Sequence, residues 1–184
     1  MKTVQHTSLL LIALLVFTMG MPASAGKPEI RHKHSIDFFP LAPLINIYGI
    51  HYIYQFSPKD EFITGLSYMS IEKESGTTHS PALILGYRRF LWKNLHVEYE
   101  LWPCYDDFWE KNEKKYYSGF DLWNEFRVGY RFDFRVKEVP LYTNIQWPFG
   151  FGLYSSNKPQ SFMDEVKKVP YFYHMPMLFL GVRF

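Results

Sequence analysis

The chain has 184 residues and a formal net charge of +2, so charge alone points to neither a nucleic acid nor a strongly acidic partner. One residue in five is aromatic (14 Tyr, 17 Phe and 5 Trp), more rings than one small soluble core can hide, whereas a bilayer could receive them, with Tyr and Trp at its boundary. Past residue 20 no run approaches the roughly 20 apolar residues of a membrane helix, and the one cysteine, Cys104, excludes an intrachain disulfide and reads as a buried, inert thiol.

The N-terminus has the layout of a secretory leader. Lys2 gives a positive start, 8–17 is apolar, and Ala23-Ser24-Ala25 is a small-residue cleavage site. The expected mature chain therefore runs from Gly26 to Phe184, with 1–25 removed. The rival is an uncleaved anchor.

Period-two alternation runs through the mature chain. Segment 30–39 is the weakest strand, because Arg31-His32-Lys33-His34 is barely amphipathic, and it turns through 40–43. His32 and His34 share one strand face, but two ligands without partners make a weak metal site, and no metal or cofactor is expected. In 46–56 the even set is Tyr48, Ile50, Tyr52, Tyr54 and Phe56, opposite Gly49, His51 and Gln55. In 95–104 Leu95, Val97, Tyr99 and Leu101 oppose His96, Glu98 and Glu100. In 122–136 the even face is almost all apolar, with Asn124 among Leu122, Phe126 and Val128. The odd face carries Glu125, Arg127, Arg131, Asp133 and Arg135. Successive strand side chains point to opposite faces, whereas a helix would mix the two classes. Segments 141–154 and 171–184 repeat the pattern, and Phe172, Leu178, Leu180, Val182 and Phe184 share one parity.

Short connections at 57–60, 92–94 and 137–138 alternate with longer polar stretches at 73–79, 106–121 and 155–169, as in transmembrane barrels with short inner turns and longer outer loops. Counting back from Phe184 gives seven clear strands, and an even number requires 30–39 as the eighth. Ten strands is the rival count. The expected fold is all-β: an antiparallel, up-and-down transmembrane β-barrel of eight strands spanning 26–184. A soluble secreted barrel would also alternate. Tyr87, Tyr99, Tyr130 and Trp147 toward strand ends, and a polar face of both signs with glycines, favour lipid.

The terminal strand, ending Gly-Val-Arg-Phe, resembles the C-terminal assembly signal of bacterial outer-membrane barrels, with Phe184 its last residue. In pattern the whole mature chain resembles the small eight-stranded outer-membrane proteins of the OmpX and OmpA-barrel type. That resemblance implies location in the cell outer membrane and contact with its lipid, lipopolysaccharide and the barrel-assembly machinery, as a monomer. It implies surface, adhesion, structural or lipid-modifying roles without choosing among them.

Three constellations are candidates for chemistry. Arg88, Glu98, Glu100, Glu125, Arg127, Arg131 and Asp133 should form a lumen ladder, with Arg88 nearly opposite Glu98 and both glutamates neighbouring the others. Mixed signs in a narrow interior favour a salt-bridge plug over an ion path. Ser155 and His174 share a parity at the outer ends of neighbouring strands, the one catalytic pair considered, although no acid falls in the matching parity. His79-Ser80 is a second rim pair. Stretch 106–121 lacks the order of a calcium loop and reads as a solvated loop with aromatic self-packing. The expected function is a structural or surface-interaction role with a charge-plugged lumen. A lipopolysaccharide-modifying acyl enzyme and a small-solute channel are the alternatives.

Overall fold

Alternating side chains can satisfy two environments at once only on an extended backbone, and a row of such strands leaves open edges unless it closes. A computed structural model describes residues 32–172 and 175–184, and the expected leader lies outside them. The described chain forms β1 (His34–Phe38), a 3-10 turn (Ala42–Ile45), β2 (Ile47–Gln55), β3 (Asp60–Glu72), β4 (Gly76–Trp92), β5 (Leu95–Glu110), β6 (Lys115–Val136) and β7 (Val139–Ser155). Helix α1 (Gln160–Lys168), β8 (Tyr171–Phe172) and β9 (Met177–Arg183) complete it. From β1 to β8 each strand pairs antiparallel with the next, and β9 pairs with both β7 and β1, so the hydrogen bonding closes in a ring.

Segments β8 and β9 both lie along β7 and act as one interrupted strand, which makes an eight-strand ring. Gly150 opposes Phe172 and Gln146 opposes Met177. The wall is uneven: β1 has 5 residues where β6 has 22.

The lower turns fall where the sequence places them. Two-residue loops, Lys93-Asn94 and Lys137-Glu138, join β4 to β5 and β6 to β7, with left-handed backbone at Lys93 (φ 49°) and Lys137 (φ 56°). The upper connections differ from expectation. Stretch 106–121 is a tall hairpin rather than a loop, with only Lys111–Lys114 outside the strands. Alternation continues through it: Asp106, Phe108 and Glu110 turn inward and are buried, and the Trp109 and Tyr116 rings pack across the outer face with centroids 4.7 Å apart. Of stretch 73–79, 76–79 belong to β4 and 73–75 alone form the turn from β3. Only 155–169 stays a long connection, and it holds α1. Among the described residues of 30–39 the strand is His34–Phe38.

A second correction concerns β6. The register against β7 slips between Leu122 and Trp123, so Asn124, expected on the apolar face, is 1% exposed and its Nδ2 donates to the Phe151 carbonyl oxygen at 2.8 Å. The extra residue of this bulge is Leu153 on β7, so β6 keeps its alternation: Glu125 is buried on the inward parity, and Asn124, on the outward one, is buried by turning its amide to the bulged strand.

The burial is inside out for a water-soluble protein. Arg88, Glu98, Glu100 and Arg127 are buried, while Phe62, Leu66, Leu83, Val128, Trp147 and Phe149 are exposed on the outer face. The lower-half alternation matches expectation, with Tyr48, Ile50, Tyr52, Tyr54 and Phe56 all outward.

Candidate functional site

Strand register builds the lumen charge layer. Glu61 on β3 opposes Arg88 on β4, Arg88 opposes Glu98 on β5, and Glu98 opposes Arg127 on β6. All four face inward. Arg88 donates through Nη1 to Glu61 Oε2 at 2.9 Å and through Nε to Glu98. Arg127 donates through Nη1 to Glu98 Oε1 at 2.9 Å and through Nε to Glu125 Oε1 at 2.8 Å, and its Nη2 is ion-paired with Glu100 Oε2 at 2.8 Å. Arg131 reaches across the lumen to Glu61 Oε1 at 2.6 Å. Signs alternate along the whole path. The guanidinium fork suits this, since its donors fan out in one plane and each can take a different carboxylate.

Six of the seven expected ladder residues therefore meet in one connected layer: Arg88, Glu98, Glu100, Glu125, Arg127 and Arg131. Asp133 sits lower, partly exposed, 3.5 Å from Arg131 Nε and 2.7 Å from Arg183 Nη2. Arg131 turns to Glu61 rather than to Glu98, with its guanidinium 4.2 Å above the Phe90 ring. Glu61 is the member that sequence reasoning missed. The signal was its parity with Ile63 and Ser67 one strand-turn from Arg88, but the pairing depends on the β3–β4 register.

A second polar group flanks the layer. Asp37 accepts from Tyr142 hydroxyl at 2.9 Å and lies 3.0 Å from His51 Nδ1, and His51 Nε2 lies 4.0 Å from Glu100. Gln146 Nε2 donates to Glu98 Oε2 at 2.9 Å. Tyr142 lies flat across Gly181: a Cβ at Gly181 would stand 2.2 Å from the Tyr142 Cζ.

Above this layer the β7–β8 connection folds inward. Lys158 Nζ pairs with Asp106 and lies 3.2 Å from Asp121 Oδ2, with its side chain 1% exposed. Phe162 of α1 packs edge-on against Phe108 with centroids 4.9 Å apart. Glu165 ties α1 to the β3–β4 turn, accepting from the backbone N–H of Glu74 at 3.0 Å and of Ser75 at 3.2 Å. Burial alone would raise the Glu165 carboxyl. Hydrogen bonds from the Ser75 hydroxyl and the two backbone N–H groups, with the Lys73 charge, outweigh it and hold the group below its ordinary range. Comparison with family models, curated proteins and solved structures finds no match.

The other candidates separate. Ser155 is exposed at the upper end of β7, and His174 lies outside the described residues. His79 and Ser80 are split by the strand: Ser80 turns inward and is 3% exposed, with Oγ donating to the Tyr105 carbonyl oxygen at 3.3 Å. His79 stays on the outer face. His34 is taken by aromatic partners, 2.6 Å from the Tyr52 hydroxyl and stacked 6.0 Å from the Phe184 ring. Phe184 also closes the ring end, its backbone exchanging hydrogen bonds with His34 at 2.9 and 3.2 Å. Cys104 is buried. Among the described residues no group of three or more His, Cys, Asp or Glu is placed to hold a metal ion.

Proposed function

We propose that this chain is an outer-membrane barrel of the small eight-stranded type, with a closed lumen and a structural or surface-interaction role. One observation carries the reading: the apolar side chains encircle the outside of the ring while the ion pairs fill its inside. Soluble monomers rarely expose a contiguous apolar patch of more than a few hundred Å², and a lipid-facing band about 25 Å tall is what a transmembrane barrel needs. The alternation of strands with short lower turns supports the same reading.

Closure of the lumen follows from two layers in series. The Arg88–Glu98–Arg127 chain spans the interior, and Lys158 with Phe162 sits over it. An eight-stranded barrel has an interior just wide enough for side chains, and these pairs occupy it. The work of such a protein falls to its outer wall and upper hairpins.

The test has two arms. After expression with its leader in a Gram-negative host, the protein should fractionate with the outer membrane. The purified chain should give no conductance steps in a planar bilayer, even with 160–168 replaced by a short Gly-Ser link, because the charge layer lies beneath α1. A soluble periplasmic product would overturn the membrane reading, and discrete steps from the intact chain would overturn the closed lumen.

A further inference from the structure

The outer face carries one row that a closed structural barrel does not use. Ser70 on β3 opposes His79 on β4, His79 opposes Asp107 on β5, and Asp107 opposes Ser118 on β6. Their inward neighbours Ser80 and Asp106 are buried, so the row has the outward parity. Directly below it on the same strands stand Tyr68, Leu66, Leu83 and Tyr105, all exposed. The row is thus the first polar tier above the apolar belt.

Its geometry is that of a nucleophile beside a base. His79 Nδ1 lies 3.3 Å from Ser70 Oγ and 3.1 Å from the Tyr68 hydroxyl, and the Tyr68 ring stacks on the imidazole at an interplanar angle of 20°. On the other flank, Asp107 makes no hydrogen bond or ion pair among the described residues. Side chains directly opposite in an antiparallel pair have Cβ atoms about 4.5–5.5 Å apart, so a rotamer change brings the Asp107 carboxylate to the imidazole. Hydroxyl, imidazole and free carboxylate in three consecutive register positions supply nucleophile, base and orienting acid.

We propose that Ser70, His79 and Asp107 form an acyl-ester hydrolase site for a membrane lipid whose chains lie along the belt below. The substrate class rests on the membrane reading above, since the belt would hold the chains and present the ester at the level of the row. Ser70 Oγ bonds to the ester carbonyl carbon while His79 Nδ1 takes the hydroxyl proton. Collapse of the adduct breaks the bond from carbonyl carbon to alkoxy oxygen, and that proton goes to the leaving alcohol. A water deprotonated by His79 then cleaves the acyl–Ser70 bond, releasing the fatty acid and restoring the serine. The balance is ester plus water giving acid plus alcohol. Tyr68, turning its hydroxyl off Nδ1, donates to the oxyanion, and Asp107 is a positioning residue that holds the ring through its second nitrogen.

The experiment uses the full chain folded in phosphatidylethanolamine vesicles, with fluorophosphonate labelling read by peptide mass spectrometry and fatty-acid release measured in parallel. Folding of every variant is checked by heat-modifiable gel mobility, and insertion by protease protection. The label should fall on Ser70. S70A should abolish label and release, and H79Q should lower both about 100-fold. D107N should slow release about 100-fold and move the pH–rate profile while Ser70 still labels, an effect a merely structural role would not give. Folded, inserted protein that takes no label at Ser70, or that releases fatty acid equally well as S70A, overturns the proposal. Labelling of Ser70 in detergent with a short soluble ester, by a chain that does not insert into vesicles, overturns the lipid substrate and the membrane reading while leaving the serine chemistry.

Discussion

Arg127 is the residue on which the lumen layer depends most, and replacing it by Met measures that dependence. Its side chain is 1% exposed and serves three buried carboxylates, Glu98, Glu100 and Glu125, at 2.8–2.9 Å. Met fills similar volume, and the neighbouring Phe179 ring keeps an apolar partner. The loss is therefore electrostatic. Removing one member of a buried ion pair costs about 3–5 kcal/mol, because the partner stays desolvated and unpaired. Glu98 keeps Arg88, so the uncompensated groups are Glu100 and Glu125, and the upper part of that range applies. With a urea slope of about 2 kcal/mol/M, the midpoint of the chain refolded in vesicles should fall by about 2 M, followed by tryptophan fluorescence and heat-modifiable mobility. Arg89→Met is the control: Arg89 is 52% exposed in its pair with Asp60, and exposed pairs contribute about 0–1 kcal/mol. Adding Glu100→Gln and Glu125→Gln to Arg127→Met should recover half or more of the loss, since neutral amides cost less to bury. If Arg127→Met shifts the midpoint no more than Arg89→Met, or if the triple variant is less stable than the single, the layer is solvated and Arg127 does not hold it together.

Gly181→Ala should cost about 1–3 kcal/mol, because the added methyl overlaps the Tyr142 ring and pushes its hydroxyl off Asp37; urea unfolding checks it, and a neutral result would show that the ring does not lie on the glycine. Lys158→Met leaves Asp106 and Asp121 facing each other without their cation, so amides in 160–168 should exchange hydrogen at least about 10-fold faster, the signature of local opening. Glu165 gives the pH dependence. Its carboxyl lies below its ordinary range with α1 docked, so it favours docking above the undocked value, and that contribution is lost as pH falls through the docked value. Protection factors across α1, taken against the intrinsic exchange rate at each pH, should therefore fall on acidification through the carboxylate range, and Glu165→Gln should flatten the fall. Wild-type protection factors that do not change with pH would remove Glu165 from the docking contact.

The strands and their faces were legible because alternation is a local property. Tyr48 to Phe56 on one parity and Glu98, Arg127 and Arg131 on another need only the period of two. Tight turns such as Lys93-Asn94 fixed Arg88 opposite Glu98 for the same reason. Polarity misled at 106–121, where charges suggested a solvated loop. Inside a barrel a strand carries charge inward as readily as a loop carries it outward, and Asp106 and Glu110 do so. Asn124 keeps its expected parity, but its burial follows from a bulge on β7 that no periodic pattern in β6 reveals. The Ser70–His79–Asp107 row was invisible along the chain, since its members are 9 and 28 positions apart and meet only through two registers.

By itself, then, the sequence determined an all-β chain with one apolar and one charged face, short lower turns, and a terminal strand ending at Phe184. It could do so because side-chain direction on an extended backbone follows from position alone. The tertiary structure decided which charges meet. Closing the ring brought β9 to β1, set Arg131 against Glu61 seventy residues away, and folded Lys158 down onto Asp106. Those contacts depend on register and curvature, which are fixed by the whole ring and not by any one strand.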